Sequence, residues 1–117
     1  MVGRRCPLRM AMSDLDIAQE AVRRIVAQAA PTSVYWFGSR SEGRGDNDSD
    51  FDLFVVLNDQ LDTAVWQRTL RRALLGLPAA FDIVAANASA WARWAAVPAT
   101  LEHRVALHGV KLYDAAG

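Results

Sequence analysis

The chain predicts an α/β (α+β) protein, a mixed β-sheet flanked by helices, in the order helix, strand, strand, helix, strand, helix, helix and a short terminal strand. Three observations carry this. Apolar residues after Ser13 recur at three- and four-residue steps, the mark of an amphipathic helix. Two runs, "SVYWFGS" and "DFDLFVVL", are β-branched and aromatic. A third such run, "AAFDIVAA", follows a second helical stretch. A chain of 117 residues can enclose one core but not two. Residues 13–117 are therefore expected to be a single domain. Residues 1–12 show no periodicity and are expected to be a disordered or non-native leader, with Met10 or Met12 as alternative starts.

The first helix carries Ala18, Ala21, Val22, Ile25, Val26 and Ala29 on one stripe. Ser13 and Asp16, three apart, form a capping pair, and Pro31 ends the helix. "SVYWFGS" reads as a strand buried on both faces. A polar, glycine-bearing loop from Arg40 to Ser49 follows. In "DFDLFVVL", period-two alternation puts Asp50, Asp52, Phe54 and Val56 on one face and Phe51, Leu53, Val55 and Leu57 on the other. Residues 63–75 read as a helix with Val65, Trp66, Leu70, Ala73 and Leu74 inward, closed by Gly76 and Pro78. In the third strand Asp82 is the one acid among apolar neighbours. Residues 89–96 are expected to be helical. Pro98 opens a last helix to His108, Gly109 caps it, and "VKLY" forms an edge strand.

Thirteen basic residues balance thirteen acidic ones. That balance disfavours a nucleic-acid binder held by net charge. The lone Cys6 forms no internal disulfide, no Cys/His spacing suggests zinc, and no apolar run reaches membrane-spanning length. With no secretory signal, a cytoplasmic protein is expected.

The informative segment is Glu42 to Asp52, five acids in eleven residues running into an apolar strand. Crowded carboxylates repel unless a cation sits among them. Asp50 and Asp52 share a strand face, with Cβ atoms about 6.6–6.8 Å apart from the rise per residue. Such a pair can bracket two metal ions for in-line phosphoryl displacement. Asp82, on a neighbouring strand, would complete the site. An unpaired Asp in its apolar setting would be costly. Gly38 lets the backbone approach a phosphate closely, and Ser39 offers a hydroxyl and an N–H; if a short helix begins there, its N-terminus favours anions. Arg40 and Arg44 stand near enough in sequence to reach phosphate oxygens, with less weight. A calcium loop does not fit, because the central Gly and closing Glu of an EF-hand are missing. Asp46 and Asp48 read as solvent-facing or as supporting the metal-holding acids from behind.

These residues carry a resemblance. "GSRSEGRGDNDSDFD", a Gly-Ser, ten residues and then Asp-x-Asp, resembles the signature of the minimal nucleotidyltransferases, the shortest members of the DNA polymerase beta-like superfamily. The order of elements from about residue 14, the later Asp on a strand and the "GVKLY" ending agree with it. The resemblance implies the polymerase-beta-like nucleotidyltransferase fold. It also implies β- and γ-phosphate binding by Gly38 and Ser39, and two Mg²⁺ ions on Asp50, Asp52 and Asp82. The implied reaction transfers AMP from ATP, with release of pyrophosphate. It further implies an antitoxin role beside a HEPN-domain partner, whose tyrosine would receive the AMP.

Other residues have plainer readings. His103 is a helix residue, and His108 falls on the Leu101/Val105 stripe in the last turn, where it suits the helix dipole. Tyr113 reads as packing. Arg68, Arg71 and Arg72 form a solvated helix face. Trp66, Trp91 and Trp94 read as core for at least two of them, with a partner surface or self-association as the other use. The competing functional reading is a non-catalytic module that neutralises a partner by contact through an idle transferase fold. Transfer to RNA ends is a third.

Overall fold

A computed structural model describes residues 13–43 and 50–117. The expected leader, Cys6, Arg44, Asp46 and Asp48 lie outside the described residues. Helix α1 spans Asp14–Ala29 and begins as its sequence dictates. The Asp16 N–H donates to Ser13 Oγ at 3.0 Å, and the Ser13 N–H donates to Asp16 Oδ2 at 3.2 Å. The reciprocal bonds satisfy two of the N–H groups that a helix start leaves open. Ala30 takes a left-handed conformation and Pro31 follows, which ends the helix.

Four strands form one sheet: β1 (Ser33–Phe37), β2 (Phe51–Leu57), β3 (Phe81–Asn87) and β4 (Val110–Asp114). Their spatial order is β3-β2-β1-β4. β1 runs antiparallel to both β2 and β4, while β2 and β3 are parallel and in register from Phe51↔Phe81 to Leu57↔Asn87. Between them lie α2 (Thr63–Ala73), α3 (Ala88–Trp94) and α4 (Leu101–His108). The mixed sheet flanked by helices is the expected architecture.

The two sheet faces differ. One carries the larger core, in which Val34, Trp36, Phe51, Leu53, Val55, Leu57 and Ile83 meet Ile25, Ala21 and Ala18 of α1 and Leu70 of α2. Each large aliphatic or aromatic side chain buried here contributes roughly 1.5–3 kcal/mol. The other face has a small cluster of Tyr35, Phe54, Val56 and Val105, with Phe37, Val84 and Trp91 packed against it. Trp91 sits 5.0 Å from the Tyr35 ring and 5.1 Å from Phe54. Asp50, Asp52 and Asp82 fall on this second face by alternation, with Asp50 and Asp82 exposed.

Several element boundaries depart from expectation. The last helix starts at Leu101, because Thr100 caps it. Its Oγ1 accepts the His103 N–H at 3.0 Å and donates toward the Trp94 and Val97 carbonyls, each at 2.8 Å. Gly109 is not left-handed but extended, and its lack of a side chain has another cause: an added Cβ would come within 2.6 Å of the Val105 carbonyl. Helix α2 ends at Ala73, and Val65, expected inward, is exposed. The third strand starts at Phe81. Trp36, Trp66 and Trp91 pack against the core clusters, while Trp94 is exposed.

Candidate functional site

The register sets the site. Asp52, the second residue of β2, lies opposite Phe37 of β1 on one side and Asp82 of β3 on the other. In-register neighbours on paired strands stand only about 4.7–4.9 Å apart. Asp50, two residues before Asp52, is on the same face and exposed. Three carboxylates therefore share one sheet face at the strand ends. Burial first, then the charges of Asp82 and Asp50, push the Asp52 carboxyl above its ordinary range. Among the described residues, the cation paired with this group of carboxylates is Arg71 of α2, whose Nη2 is 3.7 Å from Asp82 Oδ1. Both partners are more than half exposed, so water screens the pair heavily.

Gly38 ends β1 with φ +88°, a conformation that favours glycine. A Cβ built on it would run into the Asp52 carboxylate oxygen and reach Asp52 Cγ at 3.1 Å. Asp52 itself thus demands a glycine here. After it the chain forms hydrogen-bonded turns, and no helix begins at Ser39. The Ser41 hydroxyl donates to the Gly38 carbonyl at 2.7 Å, and the Glu42 and Gly43 N–H groups each donate three residues back, at 3.2 Å.

Arg40 is not brought to the carboxylates. Its guanidinium pairs with Asp14 at the start of α1, Nε to Oδ2 at 3.1 Å and Nη2 to Oδ1 at 3.2 Å. It also lies 4.5 Å from the Phe51 ring centroid. Phe51 belongs to the larger core, on the opposite face from Asp52. The side chain that sequence proximity assigned to phosphate therefore fastens the turn to α1. Arg44 lies outside the described residues.

Helix α4 adds residues that sequence reasoning left aside. A cavity of about 200 Å³ is walled by Phe37, Gly38, Ser39 and Glu42 on one side and by Leu101, Arg104, Val105 and His108 on the other. The 104/108 spacing is one helical turn, which puts both on one face. That spacing was the available signal, but nothing in the sequence placed α4 against the Gly-Ser turn. His103 has the structural role expected of it, its Nδ1 lying 2.8 Å from the Ala95 carbonyl. Tyr113 packs against the larger core.

Among the described residues, no group of three or more His, Cys, Asp or Glu side chains is gathered closely enough to hold a metal ion. The donor chemistry nonetheless fits Mg²⁺. The donors are hard carboxylate oxygens, and Mg²⁺ is commonly held by one or two carboxylates, waters and substrate phosphates instead of a closed protein cage. The raised Asp52 carboxyl is the observation that a cation would relieve.

The chain is similar in fold to solved toxin-antitoxin structures. One is a crystal structure of a toxin-antitoxin with AMP-PNP, at 23% identity and a TM-score of 0.60, covering 82% of this chain and 73% of that one. Another is a mutant of the toxin-antitoxin MntA-HpeT, at 20% identity and a TM-score of 0.56, with the same coverages, 82% and 73%. No curated protein matches the chain significantly. Residues 19–116 match the family model described as polymerase beta, nucleotidyltransferase. The Gly-Ser turn, the Asp-x-Asp strand and Asp82 all fall within that match, and the chain belongs to the polymerase beta nucleotidyltransferase family.

Proposed function

We propose that this protein is a metal-dependent nucleotidyltransferase that moves AMP from ATP onto a hydroxyl of a protein partner and releases pyrophosphate. The observation that carries this reading is the register that sets Asp52 directly beside Asp82, with Asp50 two residues before it and Gly38 against the Asp52 carboxylate. Asp50, Asp52 and Asp82 would hold Mg²⁺, which when bound neutralises them and draws charge from the phosphoryl oxygens. Gly38 and Ser39 would seat the β- and γ-phosphates. The acceptor oxygen attacks the α-phosphorus, the bond from that phosphorus to the bridging oxygen breaks, and pyrophosphate leaves. Asp82, exposed at the strand end, would take the acceptor's proton.

The fold likeness to toxin-antitoxin structures, one of them with AMP-PNP, supports an antitoxin role. The partner in this reading is a HEPN-type toxin carrying the acceptor tyrosine, and the setting is the cytoplasm. No described helix is long and apolar enough to cross a membrane. The test is transfer of label from α-labelled ATP to the co-purified partner, with Asp50→Asn/Asp52→Asn as the comparison. The double variant should fold, associate and transfer no label. A double variant that neutralises the partner as well as wild type would refute the catalytic account and favour neutralisation by contact.

A further inference from the structure

The cavity between the Gly-Ser turn and α4 is lined on one side by Gly38 and Ser39, which the transfer reading uses, and on the other by α4 residues to which it gives no role. Val105 is buried against the cluster of Tyr35, Phe54 and Val56, and this fixes the rotation of α4 over the end of β1. That rotation turns Arg104 and His108, four residues apart, toward Gly38 and Ser39 across about 200 Å³ of space. Among the described residues Arg104 makes no ion pair, unlike Arg23, Arg24, Arg40 and Arg71. Among the described residues Glu42 is the one acid on the cavity wall. Asp50, Asp52 and Asp82 do not line the cavity, which adjoins them through Phe37, the strand partner of Asp52, and Gly38.

We infer that Arg104, aided by His108, binds the distal phosphates of the triphosphate and holds the departing pyrophosphate. This rests on the nucleotidyl-transfer reading above. A substrate whose α-phosphate lies at the carboxylates and whose next phosphates cross Gly38 and Ser39 brings its terminal phosphate into this cavity. A guanidinium there meets phosphate oxygens with paired N–H donors. Arg104 thereby does on α4 what Arg40, occupied with Asp14, does not do from the turn.

The test is calorimetric titration of ATP, AMP and inorganic triphosphate in Mg²⁺ against wild type, Arg104→Gln, Arg104→Lys and His108→Gln. Arg104 and His108 are exposed, so melting temperatures should match wild type. Arg104→Gln should weaken ATP and inorganic triphosphate tenfold or more and leave AMP unchanged. Arg104→Lys should recover part of the loss, and His108→Gln should weaken the same two ligands by a smaller factor. If Arg104→Gln binds inorganic triphosphate as wild type does, the inference is overturned while the transfer reading stands. Loss of ATP with inorganic triphosphate retained also overturns it, by placing the nucleoside in the cavity. A wild type that binds neither triphosphate overturns the transfer reading and the inference together.

Discussion

The Asp52 carboxylate stands where a side chain on Gly38 would have to begin. An added Cβ would collide with its Oδ2 and lie 3.1 Å from its Cγ. The glycine of the Gly-Ser turn and the second acid of the Asp-x-Asp strand are therefore one steric unit, joined through the Phe37↔Asp52 pairing of β1 and β2. Gly38→Ala should cost about 2–4 kcal/mol, from left-handed strain together with overpacking. It should also displace Asp52 and so weaken Mg²⁺-dependent ATP binding. Thermal melting and titration check the two effects separately.

Asp52 has the opposite balance. Its carboxyl is raised by burial, Asp82 and Asp50, so the folded state favours the protonated form more than the unfolded chain does. The sign follows from linkage: its contribution is most favourable below the unfolded value and is lost as pH rises through the raised folded value. Without metal, Asp52→Asn should melt higher than wild type at neutral pH, by less than about 1 kcal/mol after solvent screening. The gap should close as the buffer is made acidic. The same variant should lose Mg²⁺-dependent ATP binding.

Arg71 is the one cation paired with the carboxylates among the described residues, and at 3.7 Å and half exposure it holds Asp82 weakly. Arg71→Gln should change stability by no more than about 0.5 kcal/mol. Because a metal must displace that cation, the variant should bind Mg²⁺ about two- to threefold more tightly, as read by titration. Weaker Mg²⁺ binding would show that Arg71 orients Asp82 and does not compete for it.

Arg40 separates structure from binding. Removing a largely buried guanidinium that pairs with Asp14 and covers Phe51 should cost about 1–3 kcal/mol. At temperatures where the variant stays folded, ATP affinity should remain near wild type. A large loss of affinity at unchanged stability would return Arg40 to the phosphates.

Arg24 ties the end of α2 to α1, donating to the Ala73 carbonyl at 3.3 Å and the Leu75 carbonyl at 3.1 Å. Its Nε also meets Glu20, 3.1 Å away. Glu20, bonded to Arg23 and Arg24, is held at about 2, well below the usual carboxylate range. Arg24→Ala leaves two helix-end carbonyls to water and should cost about 1–2 kcal/mol in chemical denaturation.

The acids were legible because alternation along a strand is a local rule. Asp50 and Asp52 sort to one face whatever the rest of the chain does. Their pairing with Asp82 required the parallel β2–β3 register, which depends on how α2 carries the chain back across the sheet. The pairing of Arg40 was not legible in the sequence, since its partner Asp14 lies 26 residues away. Arg104 and His108 stayed hidden for a related reason. Their helix points at the Gly-Ser turn only once Val105 has docked beneath it. Pro98 is a general helix opener, but the actual cap is Thr100, whose Oγ1 accepts the His103 N–H.

Because β3 is an outer strand, the Asp82 end of the sheet could accept a foreign chain as a further strand. The side-chain oxygen of Gln67 receives the Ala85 N–H at 2.8 Å, so α2 answers a donor that a visiting strand would seek. On the far side of the sheet β4 carries Lys111, a residue that discourages edge pairing. Asp82 can thus remain open to solvent at a sheet border that resists growth into fibres.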